Sequence, residues 1–238
     1  MKIPAQKHNP LPKEARDEVL AYCDRDLAGD GVYERIFDFI DDKPLRDRLI
    51  REVKSARYIY KLMSALGLEG AKLEAHLKFQ ITQYASVYES VICHILWTTF
   101  KDSPELKTLE THKTYKKVCE LPQKLAMTFD EEPLALCALR DQKTSLMSIK
   151  FDDKVDVAVA LGMVRQSIGE EIKILYKLRN AIHIESAVKH NTAFELEQAR
   201  IAYLRLQPFT LDVRKCLKVK PLPKKDLKTL AAEAKVLT

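Results

Sequence analysis

Apolar residues recur at helical spacing through most of the chain, and no convincing run of alternating β-branched residues bounded by turn signals interrupts them. Helical patterning begins near Lys13, runs to about Leu27, breaks at Gly29-Asp30-Gly31 and resumes from Val32 to Ile40. Asp41-Asp42-Lys43-Pro44 opens a further helix reaching about Leu66, its proline placed in the first turn, where a missing amide costs nothing. Gly67-Leu68-Glu69-Gly70 marks a boundary, and beyond it Ala71 to about Phe100 makes one long, increasingly apolar helix expected at the centre of a core. Residues 101–150, punctuated by Pro104, Pro122 and Pro133, read as shorter helices and loops. Phe151 starts a helix that ends near Leu161-Gly162, another helix follows it, and Asn191 to Pro208 makes one more before Pro221-Leu222-Pro223 stiffens the approach to a basic end. The expected fold class is all-α: a flexible arm over 1–12, an N-terminal helical extension over 13–70, a helical bundle over 71–211 and a basic tail over 212–238.

Within this pattern one stripe is anomalous. At about 100° per residue, Ile168, Ile172, Leu175 and Ile182 fall within roughly 80° of one another, and Arg179 and His183 project into the same sector. The helix is expected to open at Ser167-Ile168-Gly169-Glu170, which has the serine and glutamate spacing of a capping box. Burying an unpaired charge costs several kcal/mol, so an internal carboxylate, a second protein surface or a phosphate must face this pair. Glu89 is the one acidic side chain in the most apolar part of the long helix, and burial there demands a cation such as Arg179 or His183. His94, with no second ligand at metal-binding spacing, reads as a core histidine.

Composition narrows the class. With 238 residues, 46% of them hydrophobic, the chain can bury a real core, and only six glycines and ten prolines agree with helices throughout. Five scattered cysteines, Cys23, Cys93, Cys119, Cys137 and Cys216, form no CxxC pair and read as reduced core thiols. Neither a signal-like run nor eighteen consecutive apolar residues occurs, so a cytoplasmic protein without membrane contact is expected. The net charge of +6 is unevenly placed: residues 1–70 hold 13 Lys/Arg against 13 Asp/Glu, residues 212–238 hold 8 against 3, and the terminal excess reads as a solvated basic segment.

The run Leu178-Arg179-Asn180-Ala181-Ile182-His183-Ile184, with the helices flanking it from Phe151 to Phe209 and the earlier helix carrying Tyr84 and Glu89, resembles a HEPN domain over roughly residues 71–211. The family signature is an arginine, usually followed by asparagine, and a few residues later a histidine; Arg179, Asn180 and His183 match it. Three residues separate Arg179 from His183, where the family usually has four to six. The resemblance implies a helical homodimer with the Arg/His faces of two copies meeting around an RNA-binding cleft. It also implies a metal-independent endoribonuclease of a toxin–antitoxin or defence kind, possessing neither metal nor cofactor and neutralised in some settings by an antitoxin protein. Arg179 and His183 would then be catalytic and Asn180 supporting, with Glu89 a weaker supporting candidate. A non-catalytic nucleotide- or RNA-binding module, or a dimerisation module of such a complex, is the alternative.

Overall fold

The computed structural model describes residues 10–25, 27–121, 127–146, 148–189, 191 and 193–235. The arm expected over 1–12 lies mostly outside these. In chain order the elements are α1 (Lys13–Asp24), α2 (Asp30–Ile36), α3 (Lys43–Ala65), α4 (Gly70–Thr98), α5 (Pro104–Glu110), β1 (Thr111–Glu120), β2 (Thr128–Phe129), β3 (Glu132–Pro133), β4 (Ala135–Lys143), α6 (Phe151–Ala160), α7 (Gln166–Asn180), α8 (Ile184–Lys189), α9 (Leu196–Leu204), α10 (Leu206–Cys216) and α11 (Lys224–Lys235). The protein is mostly helical. Among the described residues no helix is long and apolar enough to cross a membrane.

The chain divides into two compact units, one holding residues up to Val91 together with those from Met163 onward, the other Ile92–Gly162. The N- and C-terminal segments and residues 67–70 share the first unit, and the stretch 71–211 expected as one bundle is divided between the two units. Local chemistry explains the helix ends. The Asp42 carboxylate accepts from the Leu45 amide at 3.0 Å and Pro44 occupies the first turn of α3. At the other end Gly67 adopts φ +54°, which lets its amide donate to the Ser64 carbonyl and that of Leu68 to the Met63 carbonyl, satisfying two terminal carbonyls.

In the first unit α4 supplies Leu77, Ile81, Tyr84, Tyr88 and Val91 to the core. The Tyr88 hydroxyl donates to the Ala202 carbonyl at 2.6 Å and its ring meets Phe209 edge-on at 5.0 Å. The basic end, which the sequence also allows to be helical, forms α11 and, unlike a solvated tail, packs inward: Leu222, Asp226, Leu230 and Glu233 are buried while its lysines at 224, 225 and 228 face solvent. Asp226 takes a two-pronged bond from Arg35, at 2.5 and 2.9 Å. The Arg35 hydrogen bond, acting against burial, holds the Asp226 carboxyl below the usual carboxylate range. Because its folded pKa lies below its unfolded value of about 3.9, this pair stabilises fully above that value and its contribution disappears as pH falls through the lowered one. Acid unfolding followed by circular dichroism is expected to show a shallower loss of stability below pH 4 for Asp226→Asn than for the wild type.

The second unit departs from the all-α expectation. Residues 111–143, expected as helices and loops, carry an antiparallel ribbon in which Thr111 pairs with Lys143 and Glu120 with Ala135, with a bulge between Lys117 and Cys119. A shorter pair, β2 with β3, closes around Asp130 and Glu131, both at positive φ. The period-two signal is missing because both ribbon faces are exposed, so no alternation of apolar and polar positions was required. Around it, Ile95, Leu96, Leu106, Phe151 and Val155 are buried, and the Trp97 indole donates to Glu110 at 2.5 Å beneath the Lys154 ammonium, 5.6 Å from its ring.

The ribbon also revises the reading of the cysteines. All five are free, but Cys119 and Cys137 lie exposed on the strands and only Cys23 is fully buried, its thiol pushed up chiefly by burial. An aromatic disulfide reagent is expected to modify Cys119 and Cys137 in the native protein and Cys23 only on unfolding; mass spectrometry of the labelled peptides checks this.

Candidate functional site

Helix α7 carries the candidate residues, and its buried face is Ile168, Gly169, Ile172 and Leu175. Its start is not the expected Ser167/Glu170 box. The helix begins at Gln166 with Arg165 as cap, and Asp212 of α10 takes that role: its carboxylate accepts from the Arg165 amide at 3.2 Å and from the Arg165 guanidinium at 2.8 and 2.6 Å. A carboxylate at this point satisfies a free terminal amide and opposes the positive end of the helix dipole. On another side of α7, Arg205 reaches Glu171 at 2.7 Å.

The helix ends at Asn180, with the Ala181 amide closing back on the carbonyls of Lys177 and Leu178. That ending corrects the expectation of a shared buried stripe. The angular relation of 100° per residue stops at Asn180, so Ile182 is 39% exposed and His183 is exposed in the turn before α8. Arg179 is half-buried in the last turn of α7, where a cation suits the negative helix end.

Of the cations expected opposite Glu89, Arg179 is the one found: its Nη2 lies 3.9 Å from the Glu89 carboxylate. Between them sits Tyr176, unnoticed in the sequence. Its hydroxyl donates to Glu89 at 3.1 Å and accepts from Arg179 Nη1 at 3.3 Å, and the guanidinium lies 5.1 Å from the centre of its ring. Burial, reinforced by the Glu89 charge, raises the Tyr176 hydroxyl above its ordinary pKa, keeping it a donor. Arg179 Nη1 also donates to the Asn180 side-chain oxygen at 3.2 Å. The sequence signal for Tyr176 was its place three residues before Arg179, one helical turn away on the same face.

The structure thus joins Glu89, Tyr176, Arg179 and Asn180, while among the described residues no hydrogen bond or ion pair ties His183 to them. The pair at 3.9 Å is loose, with both side chains about one-third exposed, so the guanidinium is oriented by its neighbours and still presents donors to solvent. Among the described residues no group of three or more His, Cys, Asp or Glu side chains is arranged to hold a metal. Compared with protein-family models, with curated proteins and with solved structures, the chain matches none of them.

Proposed function

We propose that the chain is a metal-independent endoribonuclease acting as a homodimer of the HEPN kind. What supports the reading is one arrangement: a partly exposed arginine held in place by Tyr176, Glu89 and Asn180 at a helix end, followed four residues later by a solvent-exposed histidine. Arg179 receives the scissile phosphate through its planar fork and stabilises the negative charge that grows on the phosphorane-like transition state. His183 takes the proton of the ribose 2′-hydroxyl, whose oxygen forms a bond to phosphorus, or delivers a proton to the 5′-oxygen as the phosphorus–oxygen bond breaks. The second copy contributes the complementary proton transfer across the dimer cleft. Asn180 orients the phosphate and the guanidinium. The nucleophile is the RNA's own hydroxyl, so this scheme has no step for a metal.

A second reading, a phosphate- or RNA-binding module that does not cut, is favoured by one observation: among the described residues no side chain is hydrogen-bonded to the His183 ring, whereas a working base is normally held by a third group. One experiment separates the two. Purified protein with total RNA in excess EDTA is expected to release fragments ending in 2′,3′-cyclic phosphate and 5′-hydroxyl groups. Retention of RNA without cleavage supports the binding module, and cleavage that requires added magnesium overturns the mechanism.

A further inference from the structure

A cavity of about 470 Å³ opens on the first unit, lined by residues of α1, α2 and α3, by the segment joining α1 to α2, and by Phe79 of α4. That volume suits a small organic molecule. Leu27, Tyr33, Tyr58, Ile59 and Phe79 make much of its wall apolar and aromatic, and Phe79 is 40% exposed, an uncovered ring at the margin.

Asp24, Lys54 and Arg57 bring charge to this wall, and they are not equivalent. Lys54 pairs with Asp30 at 2.5 Å, and the Arg57 guanidinium, 1% exposed, is bound to the Glu233 carboxylate at 2.5 Å. Asp24 is exposed, and among the described residues no hydrogen bond or ion pair neutralises its carboxylate. The cations of Arg25 and Lys61 lie instead over the Tyr22 ring, 5.6 and 4.7 Å from its centre. Asp24 is also the last residue of α1, whose last turn holds no base, so its charge adds to the negative end of the helix dipole, where a cation is favoured. That charge is felt at the cavity wall: burial, then the charges of Cys23 and Asp24, raise the Tyr58 hydroxyl above its ordinary pKa. An aromatic chamber holding one uncompensated carboxylate repels anions, and both the carboxylate and the ring faces attract a cation. We propose that this cavity binds an organic ammonium ion with an aromatic body, the ammonium on the Asp24 carboxylate and the body against Tyr58, Ile59 and Phe79. The inference is independent of the ribonuclease reading, because none of its residues belongs to the Arg179 site.

Four probes test it on the full chain: 2-phenylethylamine, a cation at neutral pH; 2-phenylethanol, a similar body without the charge; 3-phenylpropanoate, an anion; and ethylamine, an ammonium without the ring. Isothermal titration is expected to show saturable binding of 2-phenylethylamine, with the other three weaker by about tenfold or more, the loss expected for one charged hydrogen bond or one buried ring. Asp24→Asn is expected to bring the amine down to the affinity of the alcohol and to leave the alcohol unchanged. Its unfolding temperature should equal or exceed that of the wild type, because the exposed carboxylate opposes its own helix end. Ser55 lines the cavity and is exposed, and Ser55→Trp, which obstructs the rim, is expected to abolish amine binding. Absence of saturable amine binding, equal affinity for the alcohol or for ethylamine, an amine affinity unchanged in Asp24→Asn, or binding that survives Ser55→Trp each overturns the proposal.

Discussion

Glu233→Ala is expected to lower the folding stability by about 3–5 kcal/mol, the magnitude seen when one partner of a buried ion pair is removed. The carboxylate is fully enclosed, and it accepts from Arg57 Nε at 2.5 Å and from the Tyr33 hydroxyl at 2.8 and 3.0 Å. Burial disfavours the Arg57 cation, while the tyrosines around it and Glu233 favour it strongly enough that the guanidinium is held above its ordinary range. Remove the Glu233 side chain and Arg57 keeps the backbone carbonyl of residue 233 and the rings of Tyr203, 4.2 Å away, and Tyr60, 5.3 Å away, but loses the carboxylate that neutralises it. The cost is that of the uncompensated charge and not of the bond alone. For a chain of this length the loss corresponds to roughly 10 °C in the midpoint of thermal unfolding. Lys228→Ala, on the exposed face of the same helix, is the control and is expected to stay within about 0.5 kcal/mol of wild type. A Glu233→Ala midpoint equal to that of the control would show that α11 is not anchored by this pair.

That anchor also shows where the sequence was legible and where it was not. Helix boundaries set by local chemistry could be read directly: Asp42 with Pro44 opens α3, Gly67 closes it, and Gly162, at φ +68°, follows α6. The terminal segment misled because eight basic residues against three acidic ones suggest a solvated tail. The information was in the minority: Asp212, Asp226 and Glu233 are bonded to Arg165, Arg35 and Arg57 respectively, partners 47 to 191 residues away whose identity no local pattern carries. The ribbon was invisible for a different reason, since a sheet exposed on both faces has no hydrophobic periodicity to display. At the site, the apolar spacing placed Ile168, Ile172 and Leu175 on the buried face of α7, and the need of Glu89 for a cation pointed to Arg179. The spacing failed for His183 because a helical angle can be carried only as far as the helix, and nothing in Asn180-Ala181 announced the turn.

The largest effect on activity is expected at the two ends of that interrupted relation. On the proposed ribonuclease mechanism, His183→Ala should slow RNA cleavage by about 10²–10⁴-fold, the usual contribution of a positioned acid or base. Arg179→Ala should cost about 10²–10³-fold, as when one donor to a developing oxyanion is deleted. Neither change should unfold the protein: His183 is exposed, and the Arg179–Glu89 pair, at 3.9 Å and partly solvated, is worth at most about 1 kcal/mol. Arg179→Lys is expected to rescue little, because an ammonium lacks the flat fork that can engage two phosphate oxygens at once. Tyr176→Phe tests the orienting role separately. It keeps the ring under the guanidinium but removes the hydroxyl that links Arg179 to Glu89, so on the proposed mechanism cleavage should fall less than in Arg179→Ala while the state of association and the unfolding midpoint stay those of the wild type. The measurement is single-turnover cleavage of a labelled RNA in EDTA, with circular dichroism and sedimentation establishing that each variant is folded and associated as the wild type is. If His183→Ala cuts at the wild-type rate, the histidine performs no proton transfer. If Arg179→Ala loses cleavage only together with the dimer, the arginine is an interface residue, and the buried-charge argument that first singled it out is answered by a protein surface instead of a phosphate.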